Sequence, residues 1–533
     1  MVQLQGARPR GRYDPGLALV QCAFLLLLAP HLGFVPLWDS SEYVDHCLFP
    51  AIRDLNPLEL NCWGHPSMGY MGILAVPQLL FGPSALALNV TNALLGAASI
   101  WGVFAILRAV YPECPPRDRC LLTALYAFWP AVAASCLNMS PDFGVLVFSV
   151  VTVAFLVRNE MARAAIAGLF LVFSKESGVL LYGLAVASYV VLLRPETREP
   201  SGFPRRGRTS WWLLAAPLVA FGLFTASRVL FRRPAVFEAL VEKGHLSFDP
   251  RTVVAGVYAP AMWILNGGWV LALTFVLAPI AALLLPGPRR RWEKLGIGKN
   301  RRTFFLAALL VGSAYGLTRY ETFVNVRYLL PVYPFLIVLW FLPVTVLTGE
   351  SRARSVFLAL VLVWIAAGVY RTTDPVSKRV WGTFGFGEHK ILALTSLTGE
   401  CCGFGRDQLP YNLEFLKFGE IQGDIFASIR PGITTALVAN RRADRTGRVT
   451  PDGRRTLRLD DTLTIRFVTA ESIEKRLRPP AIVYFFAFPN FDNAADLDRL
   501  QRAYRIESIG RFRRQGYEIP VYVLRARTSQ DLS

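Results

Sequence analysis

Apolar positions in this chain do not alternate with polar ones in strands or recur on one face of a helix. They come in long unbroken runs. Such runs lie near residues 17–37, 86–110, 120–137, 142–157, 164–174, 177–194, 211–230, 257–286, 303–318, 328–348 and 354–370. An apolar stretch near 20 residues is what a helix needs to cross about 30 Å of hydrocarbon, so the pattern predicts about eleven transmembrane helices within residues 1–371. The run at 66–82, "PSMGYMGILAVPQLLFG", is apolar but short and broken by Pro and Gly. It reads as a helix lying at the membrane interface. The first run lacks a small-residue cleavage pattern and reads as a retained helix.

From about residue 372 the texture changes to mixed charged segments with β-rich stretches at 433–439, 463–468, 481–487, 503–508 and 519–525, and a helical stretch at 493–504. These predict a small soluble α/β domain over 372–533. Composition agrees with the division: 53% of the 533 residues are hydrophobic and only 18% charged, with a mean hydropathy of +0.38. A soluble globular class is excluded.

The net charge of +19 raises nucleic acid as a partner. Its distribution argues otherwise. Basic residues gather in particular loops such as "RPETREPSGFPRRGR" and "PRRRWEKLGIGKNRR", with no nucleic-acid-binding motif beside them. This is how cytoplasmic loops look under the positive-inside rule. An N-terminus on the cytoplasmic side places most loop charge there. Eleven crossings then put the C-terminal domain and the acidic segment "WDSSEY" (38–43) on the opposite, extracytoplasmic face.

Of the eight cysteines, Cys47 and Cys62 both fall in the first outer loop and could pair in an oxidising compartment. Unpaired cysteines serving as small hydrophobes are the simpler reading. Cys401 and Cys402 are adjacent and lack metal-ligand spacing.

Four groups of ionisable residues fall near predicted outer helix ends: Asp39 with Glu42, Asp142, Lys175 with Glu176, and Arg327 with Tyr328. Taken singly, each has a plain explanation. Asp39 and Glu42 suit a solvated loop, Asp142 the positive end of a helix dipole, Lys175 a snorkelling side chain or a partner for Glu176, and Arg327 a helix entrance. Their convergence on one face is harder to explain that way. Charged groups at membrane depth cost about 2.5–3.5 kcal/mol on insertion scales, so they call for a partner, water or function.

In order along the chain, "WDSSEY" (38–43), "HPSMGY" (65–70), "SPDFG" (140–144), "SKESG" (174–178) and "RYLLPVYP" (327–334) resemble the motifs of the GT-C superfamily of membrane glycosyltransferases. The chain is most similar to the polyprenyl-phosphate-sugar-dependent branch that includes protein O-mannosyltransferases and aminoarabinose transferases. The resemblance spans roughly residues 15–350. It implies transfer of a sugar from a polyprenyl-phosphate donor to a lipid, polysaccharide or protein acceptor, at the extracytoplasmic face of a plasma (inner) membrane and with inversion. It also implies Asp39 as general base. A leaving phosphate needs preorganised cations, a role that suits Lys175 and Arg327, with a hydroxyl from Tyr328. Asp142 is left with three roles: orienting the acceptor alongside Glu42, holding a cation, or pairing with a basic residue. His65 reads as an anchor for the interfacial helix.

Two positions depart from the family pattern. Ser40 stands where a second acid is frequent, and "HPS" replaces "HPP". No cofactor is named with certainty, and a divalent metal stays open. The rival class is a transporter or flippase for a lipid-linked or anionic substrate, because intramembrane charges also mark permeation pathways; a non-catalytic assembly subunit is a third. No repeated halves of the transporter kind are found.

Overall fold

The structure is a computed structural model. It describes residues 14–33, 40, 43–62, 65–82, 84–193, 211–230, 267–295, 300–320, 326–349 and 351–369, then 376, 385–386, 389–390, 435–439, 446–449, 463–468, 482–486, 493–514 and 517–527. Within these, every apolar run of the sequence carries a helix. The helices are α1 (Pro15–Leu28), α2 (Phe49–Arg53), α3 (Met68–Phe81), α4 (Ala85–Val110), α5 (Pro116–Ala127), α6 (Pro130–Ser135), α7 (Pro141–Val157), α8 (Met161–Val172), α9 (Glu176–Ser188), α10 (Ala216–Leu230), α11 (Gly268–Leu284), α12 (Pro286–Lys294), α13 (Arg301–Tyr320), α14 (Tyr333–Thr348) and α15 (Ser351–Ala367).

Among the described residues three helical segments are each long and apolar enough to cross a membrane: Ala85–Val110, Glu176–Leu193 and Arg327–Thr348. The bent pair α11–α12, which turns by 109°, makes up to four. Several of the remaining helices are apolar but shorter. Local chemistry explains why. The run at 120–137 is cut by Pro130, which starts α6 where its missing N–H is harmless. Even the long segment Arg327–Thr348 begins as a 3-10 turn over Val326–Val332, with Pro331 inside it.

Contacts between helix ends fix two opposite ends of the bundle. At one end Arg302, at the start of α13, donates to the Ala109 carbonyl late in α4 (2.6 Å), and Tyr189 after α9 donates to Asn159 between α7 and α8 (2.9 Å). At the other end Asn89, early in α4, donates to the Leu32 carbonyl beyond α1 (2.9 Å). There too Asn92 donates to the Cys136 carbonyl after α6 (2.9 Å). Basic segments cluster at the first end, which corresponds to the inner face of the sequence reading; the second corresponds to the outer face.

Helix α3 starts and stops at the outer end. Its Gly69 N–H donates to the Phe173 carbonyl beyond α8 (2.7 Å), and its far end leads to Ser84, the N-cap of α4. Val76, Leu79, Leu80 and Phe81 near its far end are exposed. A helix with both ends on one side and an open apolar end is what an interfacial segment requires.

Dense packing holds the bundle. Gly102 of α4 lies against Val150 of α7, and Gly168 of α8 against Tyr182 of α9, positions where an added Cβ would collide with its neighbour. Small residues let helix backbones approach where hydrophobic driving force is absent. Trp340 of α14 satisfies its indole N–H on Thr274 of α11 (2.5 Å).

In the C-terminal region β3 (Thr435–Ala439), β4 (Thr446–Val449), β5 (Leu463–Val468), β6 (Ile482–Phe486), β7 (Tyr504–Arg514) and β8 (Tyr517–Ala526) form one mixed sheet in the order β4-β5-β3-β6-β8-β7, preceded by the short hairpin of β1 (Gly385–Phe386) and β2 (His389–Lys390). Strand β3 pairs in parallel with β5 and β6, and β7 pairs with β8 as a long antiparallel hairpin with a register shift at Ile506/Ser508. Helix α16 (Asn493–Gln501) puts Leu500 in the small core of Val483, Phe485, Tyr504 and Leu524. All five expected strands and the expected helix are present. Strand β4, with Gly and two polar residues among its four, gave no periodic signal.

Candidate active site

At the outer end α7 begins with Ser140 as N-cap and Pro141 as the first helical residue. The Asp142 N–H donates to Ser140 Oγ (3.3 Å), and that hydroxyl donates back to Asp142 Oδ2 (3.0 Å). This exchange satisfies a helix-start donor and fixes the carboxylate's rotamer. The fixed carboxylate receives two cations. Lys175 Nζ lies 2.9 Å from Asp142 Oδ1, and Arg327 Nε lies 3.4 Å from Oδ2.

Lys175 is the N-cap of α9, and its extended backbone (φ −166°, ψ 162°) turns the side chain away from the helix. Arg327 stands in the 3-10 turn before α14. Between them lies the Tyr328 ring, 4.3 Å from Lys175 Nζ and 5.3 Å from Arg327 Cζ at its centroid, both within cation–π range. Lys175 and Asp142 are buried, while the Arg327 side chain keeps 14% of its surface exposed.

Asp142 thus receives two cations in a largely dehydrated setting, with the Arg327 side chain partly exposed. Such a pair suits an anion with several oxygens, since Arg offers a planar fork of donors and Lys a compact charge.

The "HPSMGY" segment packs beside this cluster. His65 Nδ1 contacts both carboxylate oxygens of Glu176 (2.9 and 3.1 Å). The Tyr70 ring packs edge-on to Phe143 and tightly over Gly144, and its hydroxyl donates to Asn92 (2.6 Å). The turn before it is tied to the preceding loop: Ser67 Oγ donates to the Leu60 carbonyl (2.6 Å) and accepts from the Cys62 N–H (3.1 Å). Cys62 is bonded to Cys47. The simpler reading of these two cysteines as unpaired is therefore corrected: the loop brings their Cα atoms to 5.7 Å, within disulfide reach.

Asp142, Lys175, Arg327 and Tyr328 thus come together, as their common sidedness suggested. Two partnerships differ from the sequence reading. Lys175 pairs with Asp142 rather than with Glu176, and Glu176 takes His65. Asp39 and Glu42 lie outside the described residues. Their neighbour Ser40 is buried and donates to Asn138 Oδ1, two residues before Ser140.

Sequence reasoning missed Asn92, a polar intrusion in the apolar run 86–110 that was the available signal, and Asn138, which falls between the runs at 120–137 and 142–157. Among the described residues no group of three or more His, Cys, Asp or Glu side chains could hold a metal ion. Ser40, standing at the family's frequent second acid, is already engaged.

No family model matches the sequence, and no curated protein matches it. Solved structures do. The crystal structure of ArnT from Cupriavidus metallidurans bound to undecaprenyl phosphate superposes with a TM-score of 0.55 at 13% identity, covering 95% of this chain and 97% of that one. The same protein in the apo state gives 0.53 at 13% identity, over 95% and 98%. The cryo-EM structure of the arabinofuranosyltransferase AftD from Mycobacteria gives 0.46 at 14% identity, over 98% of this chain and 40% of that one. The chain has the fold of ArnT.

Proposed function

We propose that this protein is a membrane glycosyltransferase that moves a hexosyl or pentosyl group from a polyprenyl-phosphate carrier to a lipid, polysaccharide or protein acceptor at the extracytoplasmic face of the plasma membrane. One observation carries the reading. Lys175 and Arg327 converge on Asp142 around the Tyr328 ring, at the outer end of a fold shared with a protein crystallised with undecaprenyl phosphate. The carrier's phosphate is both the group to be recognised and the group that leaves with negative charge. Fixed cations in a dry site serve both purposes, and removing one such donor typically costs about 10²–10³ in rate.

In this reading Asp142 acts on the cations. It holds Lys175 and Arg327 in place and is itself held by Ser140. Asp39 takes the acceptor's proton as the acceptor attacks the anomeric carbon and the phosphate departs on the opposite side, a single inverting displacement. Support comes from the chain itself: Asp39 precedes Ser40, and Ser40 donates to Asn138, two residues before Ser140. Glu42 orients the acceptor. A divalent cation would draw on Asp39 and Glu42, because Ser40 is taken, and leaving divalent ions out of the assay tests it. The eleven apolar segments serve as eleven crossings, and residues 372–533 form an extracytoplasmic domain that receives the acceptor.

The test uses purified protein in lipid with a panel of radiolabelled polyprenyl-phosphate sugars and membrane extract as acceptor. One donor should be consumed, and Asp39→Asn should lower turnover by about 10²–10⁴-fold, the usual contribution of a positioned base, while donor binding persists. Donor binding without turnover by the unsubstituted protein would instead favour movement of a lipid-linked substrate through the same cavity.

A further inference from the structure

The apolar helix α11 ends at Leu284, and "PGP" follows at 286–288. Pro286 opens α12 where its missing N–H is harmless, and the new helix leaves at 109° to the old one. With α11 as a crossing, a turn near a right angle lays α12 along the membrane surface. Its two sides differ accordingly. Pro288 is buried, and Trp292 packs against the patch of Ala278, Ala282 and Val346. Arg289, Arg290 and Lys294 are exposed, and Arg289 faces Glu293 at 3.3 Å.

Arg291 belongs to neither side. Its guanidinium is tucked between two glycines. A Cβ on Gly349, just past α14, would collide with Nη1, and Nη2 lies 3.7 Å from where a Gly287 Cβ would stand. Gly349 holds φ at +72°, a conformation that suits glycine, so the close approach is built into the backbone. The Arg291 Nε is buried and meets no hydrogen-bond acceptor among the described residues. A buried donor left unmet is costly, and an outside acceptor would relieve it. The same bend exposes Leu283, Leu284 and Leu285 immediately before Pro286. An uncovered apolar surface and an unmet cationic donor thus adjoin, as the tails and head group of a lipid do.

We propose that the bend between α11 and α12 binds an anionic phospholipid of the surrounding bilayer, its phosphate on Arg291 between Gly287 and Gly349 and its acyl chains against Leu283, Leu284 and Leu285. A guanidinium presents a planar fork that matches two phosphate oxygens. Arg290 and Lys294, exposed on the same short helix, favour a head group of net negative charge over a zwitterionic one. The site is separate from the one around Asp142: the 16 residues of α14 set Gly349 about 24 Å beyond the turn that carries Arg327.

The experiment measures binding of phosphatidylglycerol to the purified full chain in detergent by native mass spectrometry, with thermal melting of each variant as a folding check. The unsubstituted protein should bind it about fivefold more tightly than phosphatidylethanolamine with the same acyl chains. Equal binding of the two lipids overturns the proposal. Glycerol 3-phosphate should not displace the lipid; if it does, the ligand is a free phosphate ester. Arg291→Gln should weaken phosphatidylglycerol binding about tenfold. Arg291→Lys, which keeps the charge without the fork, should fall between, and it serves as the comparison where the glutamine variant does not fold. Arg290→Gln, a change of exposed charge, should alter affinity by less than about twofold. If it weakens binding as much as Arg291→Gln, the helix is a diffuse charged surface and there is no site. The proposal fails too if Arg291→Gln lowers the melting temperature and leaves lipid affinity intact, because Arg291 then only complements the carbonyl end of α14.

Discussion

The bundle holds a buried ion cluster at each end, and the two are built differently. At the inner end Asp118, fully buried near the start of α5, meets Arg354 near the start of α15 at 2.6 Å and also accepts from the Ser355 hydroxyl. The Arg354 guanidinium contacts Thr345 Oγ1 at 3.4 Å and lies over the Phe341 ring. The buried Arg119, next to Asp118 in the chain, donates to the Cys114 carbonyl (2.9 Å). At the outer end Asp142 receives two cations, Lys175 and Arg327, and the Arg327 side chain stays partly exposed. The inner cluster clamps α5 to α15. The outer one gathers two cations where the proposed phosphate binds.

Removing the inner carboxylate gives the largest effect expected. Asp118→Ala leaves Arg354 buried and uncompensated, and breaking such a pair costs about 3–5 kcal/mol. Chemical or thermal unfolding in detergent should show that loss. Added undecaprenyl phosphate should not lessen it beyond the shift it gives the unsubstituted protein. A rescue specific to this variant would break the comparison, since it would mean that the inner cluster too can take an anion.

Asp142→Asn is the matching change at the outer end. It removes a charge-assisted partner from Lys175 and Arg327, a loss of about 1.5–3 kcal/mol. Here a phosphate-bearing lipid supplies what was removed. At a hundred times its Kd a ligand adds about 2.7 kcal/mol, so undecaprenyl phosphate should raise the melting temperature of this variant more than that of the unsubstituted protein. An equal shift in both would show that the lipid's phosphate does not meet these cations.

The two clusters also differ in how far the sequence betrays them. Asp142, Lys175 and Arg327 stand at apolar helix ends, beside Pro, Gly and aromatic neighbours, where a charge is out of place. Loop-charge parity alone puts them on one face. Asp118 sits in "PRDR", which reads as an ordinary solvated turn, and its partner is 236 residues away. Burial at that end is a tertiary property: α15 and the turn at Cys114 close over it, and burial pushes the Cys114 thiol up to about 12.

Partner choice was the other gap. Adjacency favours Lys175 with Glu176, yet at a helix start the extended N-cap residue and the first helical residue send their side chains apart. Helix existence was legible wherever an apolar run lies, but not at α2 or the basic α12, which carry no such run. Breaks such as that at Phe128–Trp129 and the 3-10 entry at Val326–Val332 were not, since proline at a helix start and proline within a run look alike in sequence.

The smallest expected effect isolates how the outer carboxylate is aimed. Ser140 caps α7 and donates to Asp142 Oδ2, so Ser140→Ala removes a cap worth about 1 kcal/mol and frees the carboxylate's rotamer together. Ser140→Asp and Ser140→Asn both restore a cap, but they differ in charge. If the hydroxyl matters only as a cap, both should recover stability and lipid affinity alike. If it matters because the site tolerates a single carboxylate, Asn should recover affinity while Asp recovers stability and loses affinity. The second outcome is expected, because a further negative charge beside Asp142 would compete with a phosphate for Lys175 and Arg327.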